Sequence, residues 1–144
     1  MTIRLNPYLN FDGNTREAVL FYEKALRGQL LSLTTFGDMP ADPNYPLPEG
    51  AKDRVMHALL KVGEGELMFS DTFPGMPHQP GDTVTIALHP SEESEARGIF
   101  AALEDGGHVV MPLQKTEWSP LYGMLKDKFG VIFQVNVAAE HPKP

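Results

Sequence analysis

Of the five histidines in the chain, His57 alone falls in a run patterned like a strand, Val55–Val62. An imidazole there could act as a general acid or base, because its free pKa lies near neutrality. It could equally be a hydrogen-bonded structural histidine. His78, His89, His108 and His141 fall in loops, caps or the tail, where solvated roles are expected. Asp71 ends a second strand-like run and is a candidate partner for His57 at a sheet rim. Placed before Thr72 and Pro74, it also reads as a turn-former. Tyr8, Phe36, Trp118 and Tyr122 could line a site for a planar or apolar ligand, or serve as core or dimer contacts. Glu117 is the one carboxylate in the 115–123 segment able to reach such a site, and is otherwise a solvated loop charge. The chain has no cysteine, which excludes a thiol nucleophile, a disulfide framework and any Cys-ligated zinc or iron–sulfur site.

The 144 residues fit one domain, with 42% hydrophobic and 22% charged residues, ordinary for a folded chain. Such a length buries a core without covalent staples. Twelve Lys and Arg against 19 Asp and Glu give a net charge of −7, which opposes binding to a phosphate backbone. No nucleic-acid partner is expected. No apolar run approaches the ~20 residues of a membrane span. Met1 to Asn10 is polar, without the apolar stretch of a signal peptide, so a cytoplasmic address is expected.

Two segments carry helical spacing. In Thr15 to Arg27, Ala18, Tyr22, Ala25 and Leu26 form a stripe. Asn14 is the expected N-cap, with Glu17 closing a capping box and Gly28 in a left-handed terminal position. In Glu92 to Asp105 the stripe is Ala96, Ile99, Phe100 and Leu103, after an expected Ser91 cap and before Gly106. The two caps are 77 positions apart and the two glycines 78. An alternating run precedes each helix, and three strand-like runs follow each: Leu30–Phe36, Val55–Val62 and Glu66–Asp71, then Val109–Leu113, Tyr122–Lys126 and Val131–Val137. The order β-α-β-β-β occurs twice, which suggests duplication within one domain, with module one about 3–71 and module two about 82–138. Gly37–Asp53 and Asp71–Asp82 hold seven of the 13 prolines. The first is a long loop, either a lid or a stiff connection, and the second links the halves.

The chain resembles the vicinal oxygen chelate superfamily of glyoxalase, bleomycin resistance proteins and dioxygenases, and within it the PhnB-like, demethylubiquinone-methyltransferase-like branch. The residues that carry the likeness are Pro7 to Phe11 with Gly13-Asn14, Ala18 to Leu26, Phe36 to Pro40, Val55 to Ala58, Leu67 to Asp71, Trp118 to Gly123 and Asp127 to Val131. The resemblance implies an α+β fold. Its tandem βαβββ modules form a cupped mixed sheet with helices outside, a ligand site in the concave face and often a homodimer. Metal-dependent members take one ligand from each of four strands, usually His, Glu or Gln. Carried over by strand position, those places are Asn6, Met68 or Ser70, Thr85 and Gln134, of which only Gln134 is a type the family uses. A transition ion wants imidazole, thiolate or carboxylate, so no cofactor or metal is expected. Neither Gly63-Glu64-Gly65 nor Gly106-Gly107 opens a helix after a strand, and the first helix opens on Asp12-Gly13-Asn14-Thr15. A SAM- or NAD-binding doubly wound fold needs a glycine-rich turn there, so methyl transfer is not expected.

Alternation assigns the faces. Pro7, Leu9 and Phe11, then Met56, Ala58, Leu60 and Val62, are expected to pack on helices, as are Val84, Ile86 and Leu88 and Val131, Phe133, Val135 and Val137. Asn6, Tyr8, Asn10, His57, Leu59, Thr85, Gln134 and Asn136 then share the other faces. A hairpin around Glu64 and Gly65 brings Met68 and Ser70 beside His57 and Leu59. The expected function is capture of a small organic molecule in a metal-free, aromatic-lined cup. The alternative is a lyase or isomerase using His57 as acid/base, with or without a metal.

Overall fold

The computed structural model describes residues 3–40, 43–44, 46–73 and 75–137. His141 and Pro74 therefore lie outside the described residues. The chain divides into two compact units, the first ending at Gln79 and the second starting at Pro80. The first unit runs β1 (Tyr8–Phe11), α1 (Thr15–Ala25), β2 (Gln29–Thr35), a 3₁₀ turn (Phe36–Asp38), β3 (Val55–Val62) and β4 (Gly65–Asp71). The second runs β5 (Ile86–Leu88), α2 (Glu93–Glu104), β6 (His108–Gln114), β7 (Leu121–Lys126) and β8 (Ile132–Val137). Each unit is βαβββ. The sheets have the orders β1-β4-β3-β2 and β5-β8-β7-β6, parallel only at β1/β4 and β5/β8. The mixed α+β architecture follows from a helix crossing between the first strand and the rest.

Each helix buries the stripe its spacing requires. Ala18, Val19, Tyr22, Ala25 and Leu26 of the first unit are buried, as are Ala96, Ile99, Phe100 and Leu103 of the second. Tyr22 stacks on Phe69 of β4 at 5.8 Å between centroids, and Phe69 alternates with Leu67 on the same buried face. In β8, Phe133, Val135 and Val137 are the buried set. Gly123 interrupts β7 with a residue that packs no side chain: a Cβ there would stand 2.9 Å from Phe100 of α2, so the missing side chain is room for the ring.

Five local expectations need correction. Asn14 occupies the N-cap of α1, but its side chain makes no capping bond and no capping box closes with Glu17. The α2 cap is Glu92 rather than Ser91, again without a side-chain bond. The left-handed residue after α1 is Arg27, with φ 56°, and not Gly28. Gly28 is small for another reason, since a Cβ there would meet the Lys61 carbonyl oxygen at 2.8 Å. Finally, the β2/β3 register slips between Thr34↔His57 and Thr35↔Val55. That bulge puts Val55 in the core with Ala58 and Leu60 and leaves Met56 half-buried. At the strand starts, Pro7 and Val84 are exposed, because β1 and β5 are shorter than the apolar alternation suggested.

The start of α1 is held from another strand. Asp71, 3% exposed at the end of β4, accepts hydrogen bonds at Oδ1 from Gly13 N (2.8 Å), Thr15 N (3.1 Å) and Thr15 Oγ1 (2.7 Å). Its Oδ2 accepts from Val55 N at 2.8 Å. One carboxylate thus fixes the α1 N-terminus, the start of β3 and the end of β4. Close by, Arg54 Nη2 donates to Asp12 Oδ1 (2.9 Å) and to the Thr72 carbonyl (3.0 Å), and it holds the Asp12 carboxyl below the ordinary carboxylate range. The base of the 37–53 loop is pinned by Phe36 N to Arg54 O and Gly37 N to Lys52 O. Asp71→Ala is expected to lower stability by about 3 kcal/mol or more in urea unfolding, because each buried donor left unpaired costs about 1–3 kcal/mol. An unchanged unfolding midpoint would show that the helix start is held by something else.

Candidate functional site

Most of the candidate residues fall on or beside the helix-free faces of the two sheets, and each unit builds its own set. In the first unit Tyr8 pairs with Met68, and Met68 with Leu59. β4 lies between β1 and β3, so Tyr8 reaches over it: its Oη stands 3.1 Å from Nδ1 of His57, with ring centroids 5.9 Å apart. Asn6 Nδ2 points at the Met68 sulfur at 3.9 Å, a weak donor contact. Ser70 turns its hydroxyl onto the Asp71 carbonyl at 2.7 Å. The hairpin that sets this register turns at Gly63-Glu64, since Val62 pairs with Gly65.

Two expected members are elsewhere. Asp71 lies on the opposite, buried face with Leu67 and Phe69, and both its oxygens are spent on α1 and β3. It is a structural carboxylate and not the partner of His57; that partner is Tyr8. Phe36 sits in the 3₁₀ turn with its ring edge-on to Phe73 at 5.8 Å, so it packs beside the linker and not on the strand face. The turn is closed by Thr35 and Asp38, and the amide and hydroxyl of Thr35 hold the Asp38 carboxyl below its ordinary value. His78, expected to be merely solvated, donates from Nε2 to the Asn10 carbonyl at 2.9 Å.

In the second unit Tyr122 and Gln134 come from β7 and β8, and Thr85 immediately precedes β5. The Tyr122 hydroxyl donates to Gln134 Oε1 (2.8 Å), and Gln134 Nε2 donates to Thr85 Oγ1 (3.0 Å). The two bonds hold the Gln134 amide between the phenol and the threonine hydroxyl, one partner for its oxygen and one for its nitrogen. Trp118 stands edge-on to Tyr122, 5.7 Å between centroids, and is 62% exposed. A turn positions the indole: Ser119 N donates to Thr116 Oγ1 at 3.0 Å, and the buried Ser119 hydroxyl lies within hydrogen-bond distance of the Leu121 and Val137 carbonyls. Glu117, in the same turn, is exposed. Two features were not foreseen from the pattern. Asn136, directly opposite Tyr122, carries a buried Oδ1 without a hydrogen-bond partner, and the Tyr8–His57 bond spans an intervening strand. Among the described residues no three His, Asp or Glu side chains gather as metal ligands.

The model of the Glyoxalase/Bleomycin resistance protein/Dioxygenase superfamily matches residues 4–135. The chain belongs to that superfamily. It is 32% identical to Protein YjdN of Escherichia coli (strain K12), over 96% of this chain and 97% of that one. Among solved structures it is similar to protein PA1353 from Pseudomonas aeruginosa, with 40% identity, a TM-score of 0.84, and coverage of 96% of this chain and all of that one. It is also similar to the PhnB protein from Bacillus cereus, described as a 3-demethylubiquinone-9 3-methyltransferase, with 26% identity, a TM-score of 0.74 and coverage of 94% and 100%. The family and its PhnB-like neighbourhood therefore agree with the resemblance read from the motifs. No helix among the described residues is long and apolar enough to cross a membrane.

Tyr122→Phe tests the geometry of the second unit. Removing the hydroxyl leaves Gln134 Oε1 unpaired, at an expected cost of about 1 kcal/mol in chemical unfolding. The Gln134 side-chain amide resonances should broaden, while Tyr8→Phe leaves them unchanged.

Proposed function

We propose that this protein binds a small organic molecule on its helix-free sheet faces, through aromatic contact and neutral hydrogen bonds and without a metal ion. The observation that carries this reading is the Trp118–Tyr122–Gln134–Thr85 assembly. An indole that is 62% exposed beside an already ordered polar chain offers a flat apolar surface with oriented dipoles around it. The metal-free part rests on the donor set. Asn6, Met68, Ser70, Thr85 and Gln134 carry no charge, and the Gln134 oxygen already accepts from Tyr122. A divalent ion would exchange its hydration for neutral dipoles, one of them taken from an existing bond.

The methyltransferase description of the Bacillus relative is not adopted. The α1 N-terminus, where a nucleotide-type cofactor would need free amides, has Gly13 N and Thr15 N engaged by Asp71. A second reading has a specific observation behind it: Tyr8 and His57 in hydrogen-bond contact form a phenol–imidazole pair of the kind an acid/base lyase or isomerase uses. A homodimer is also proposed. The edge strands β2 and β6 expose Leu31, Val110 and Met111, which a second copy would cover.

Three measurements test these readings. A screen of planar metabolites by tryptophan fluorescence and protein NMR should find a compound that quenches Trp118 and shifts Tyr122, with both effects lost in Trp118→Ala. A screen without any Trp118 response removes the binding reading. Elemental analysis should find no stoichiometric transition metal, and added Zn²⁺, Ni²⁺ or Mn²⁺ should not raise Tm. A specific ion at a hundredfold excess over its Kd would stabilise the fold by about 2.7 kcal/mol, so a clear rise overturns the metal-free part. Light scattering is expected to give a dimer, and a stable monomer removes that proposal.

A further inference from the structure

We infer that Tyr8 fixes His57 in its Nε2–H form, so that this face takes a carbonyl or carboxylate oxygen of the ligand on that N–H. The inference rests on the ligand-binding reading and names the chemistry of one contact within it. One hydrogen is shared between Tyr8 Oη and His57 Nδ1 across 3.1 Å. A phenol O–H is a much stronger acid than the N–H of a neutral imidazole, so the phenol donates and Nδ1 accepts. The neutral ring then carries its own hydrogen on Nε2.

That hydrogen has no acceptor among the described residues. No hydrogen bond from Nε2 accompanies the one at Nδ1, and the atom is not among the sealed, unpaired polar atoms, so it is open to approach. Were the ring protonated, Nδ1–H would turn to the phenol oxygen and Nε2–H would still face outward. Either way the face presents a donor. The side chains beside it are Leu59 and Met68, which offer no strong acceptor, Thr34 directly opposite on β2 and Ser70 on β4; the Ser70 hydroxyl is turned onto the Asp71 carbonyl, neither hydroxyl bonds Nε2, and Asn6 is directed at the Met68 sulfur. Tyr8 is 44% exposed, so an incoming ligand reaches the pair from solvent. In these terms Tyr8 is a positioning residue acting through His57.

Long-range ¹H–¹⁵N correlation of His57 in the full-length protein reads the tautomer directly. Nδ1 should appear unprotonated and accepting, with the hydrogen on Nε2, and Tyr8→Phe should let the other tautomer appear while Tm and circular dichroism stay near wild type. Benzoate, acetate and pyruvate serve as oxygen-acceptor probes, with benzamidine as the donor-bearing shape-match of benzoate. At least one carboxylate should shift the His57 Nε2 resonance saturably, and benzamidine should not. Tyr8→Phe should weaken that binding about fivefold, the worth of one ordered hydrogen bond. His57→Ala should abolish it, and His57→Gln, which keeps an N–H donor, should restore part of it. An Nδ1–H tautomer in the wild type, silence of His57 toward all three carboxylates, or an equal response to benzamidine overturns the inference. A compound that quenches Trp118 and leaves His57 silent overturns it too, while the ligand-binding reading stands.

Discussion

The first unit depends on one buried carboxylate. Asp71 lies at the end of β4, yet it satisfies two amides and a hydroxyl at the start of α1 and one amide at the start of β3. Helix termini leave amides that need acceptors, and these usually come from the residue just before the helix. Here the acceptor comes from 56 to 58 positions later in the chain. Helix start and sheet end are therefore tied together, and the phase of β4 follows. With Asp71, Phe69 and Leu67 inward, Met68 and Ser70 must face outward beside His57 and Tyr8. The helix cap thus decides which residues of β4 are available to a ligand.

That tie also marks where reading from sequence stops. Periodicity makes the buried stripes of α1 and α2 and the alternation of β4 and β8 legible, because burial imposes a fixed spacing on apolar residues. The doubled βαβββ order follows from the same pattern. Asp71 is not legible in its true role, since its partners are backbone amides far along the chain and any turn-forming aspartate looks the same. Gly28 hides its role for a related reason: a glycine after a helix suggests a left-handed terminus, whereas the requirement here is clearance from the Lys61 carbonyl. Phe36 looked like the end of a strand, and the capping of the next turn by Thr35 and Asp38 removed it from the sheet face.

The candidate sites were legible as faces but not as contacts. Alternation puts Tyr8 and His57 on one side, but only the strand order, with β4 between β1 and β3, brings the hydroxyl to Nδ1. Likewise, Thr85 and Gln134 read as outward residues and Tyr122 as a lining candidate, and their contacts emerge only from distances. Side-chain hydrogen bonds across strands leave no periodic trace, so such pairs have to be found in three dimensions.

The two units share a frame but differ in what they place on it. In the first, Phe11 pairs with Asp71; at the matching point of the second, Leu88 pairs with Val135. A valine has no acceptor to offer, and α2 accordingly starts without a side-chain cap, with Glu93 and Glu95 in its first turn to meet the helix dipole. Asp71 apart, the inward positions of both sheets are largely apolar because packing against the helix tolerates little else. Outward positions are under no such constraint. One sheet carries a phenol and an imidazole, the other a phenol, an amide, a hydroxyl and an indole. The two units repeat the apolar pattern that lets a βαβββ unit fold and differ in the chemistry on the opposite faces. Any recognition by this protein therefore has to be sought on those faces, residue by residue, and not in the architecture the two halves have in common.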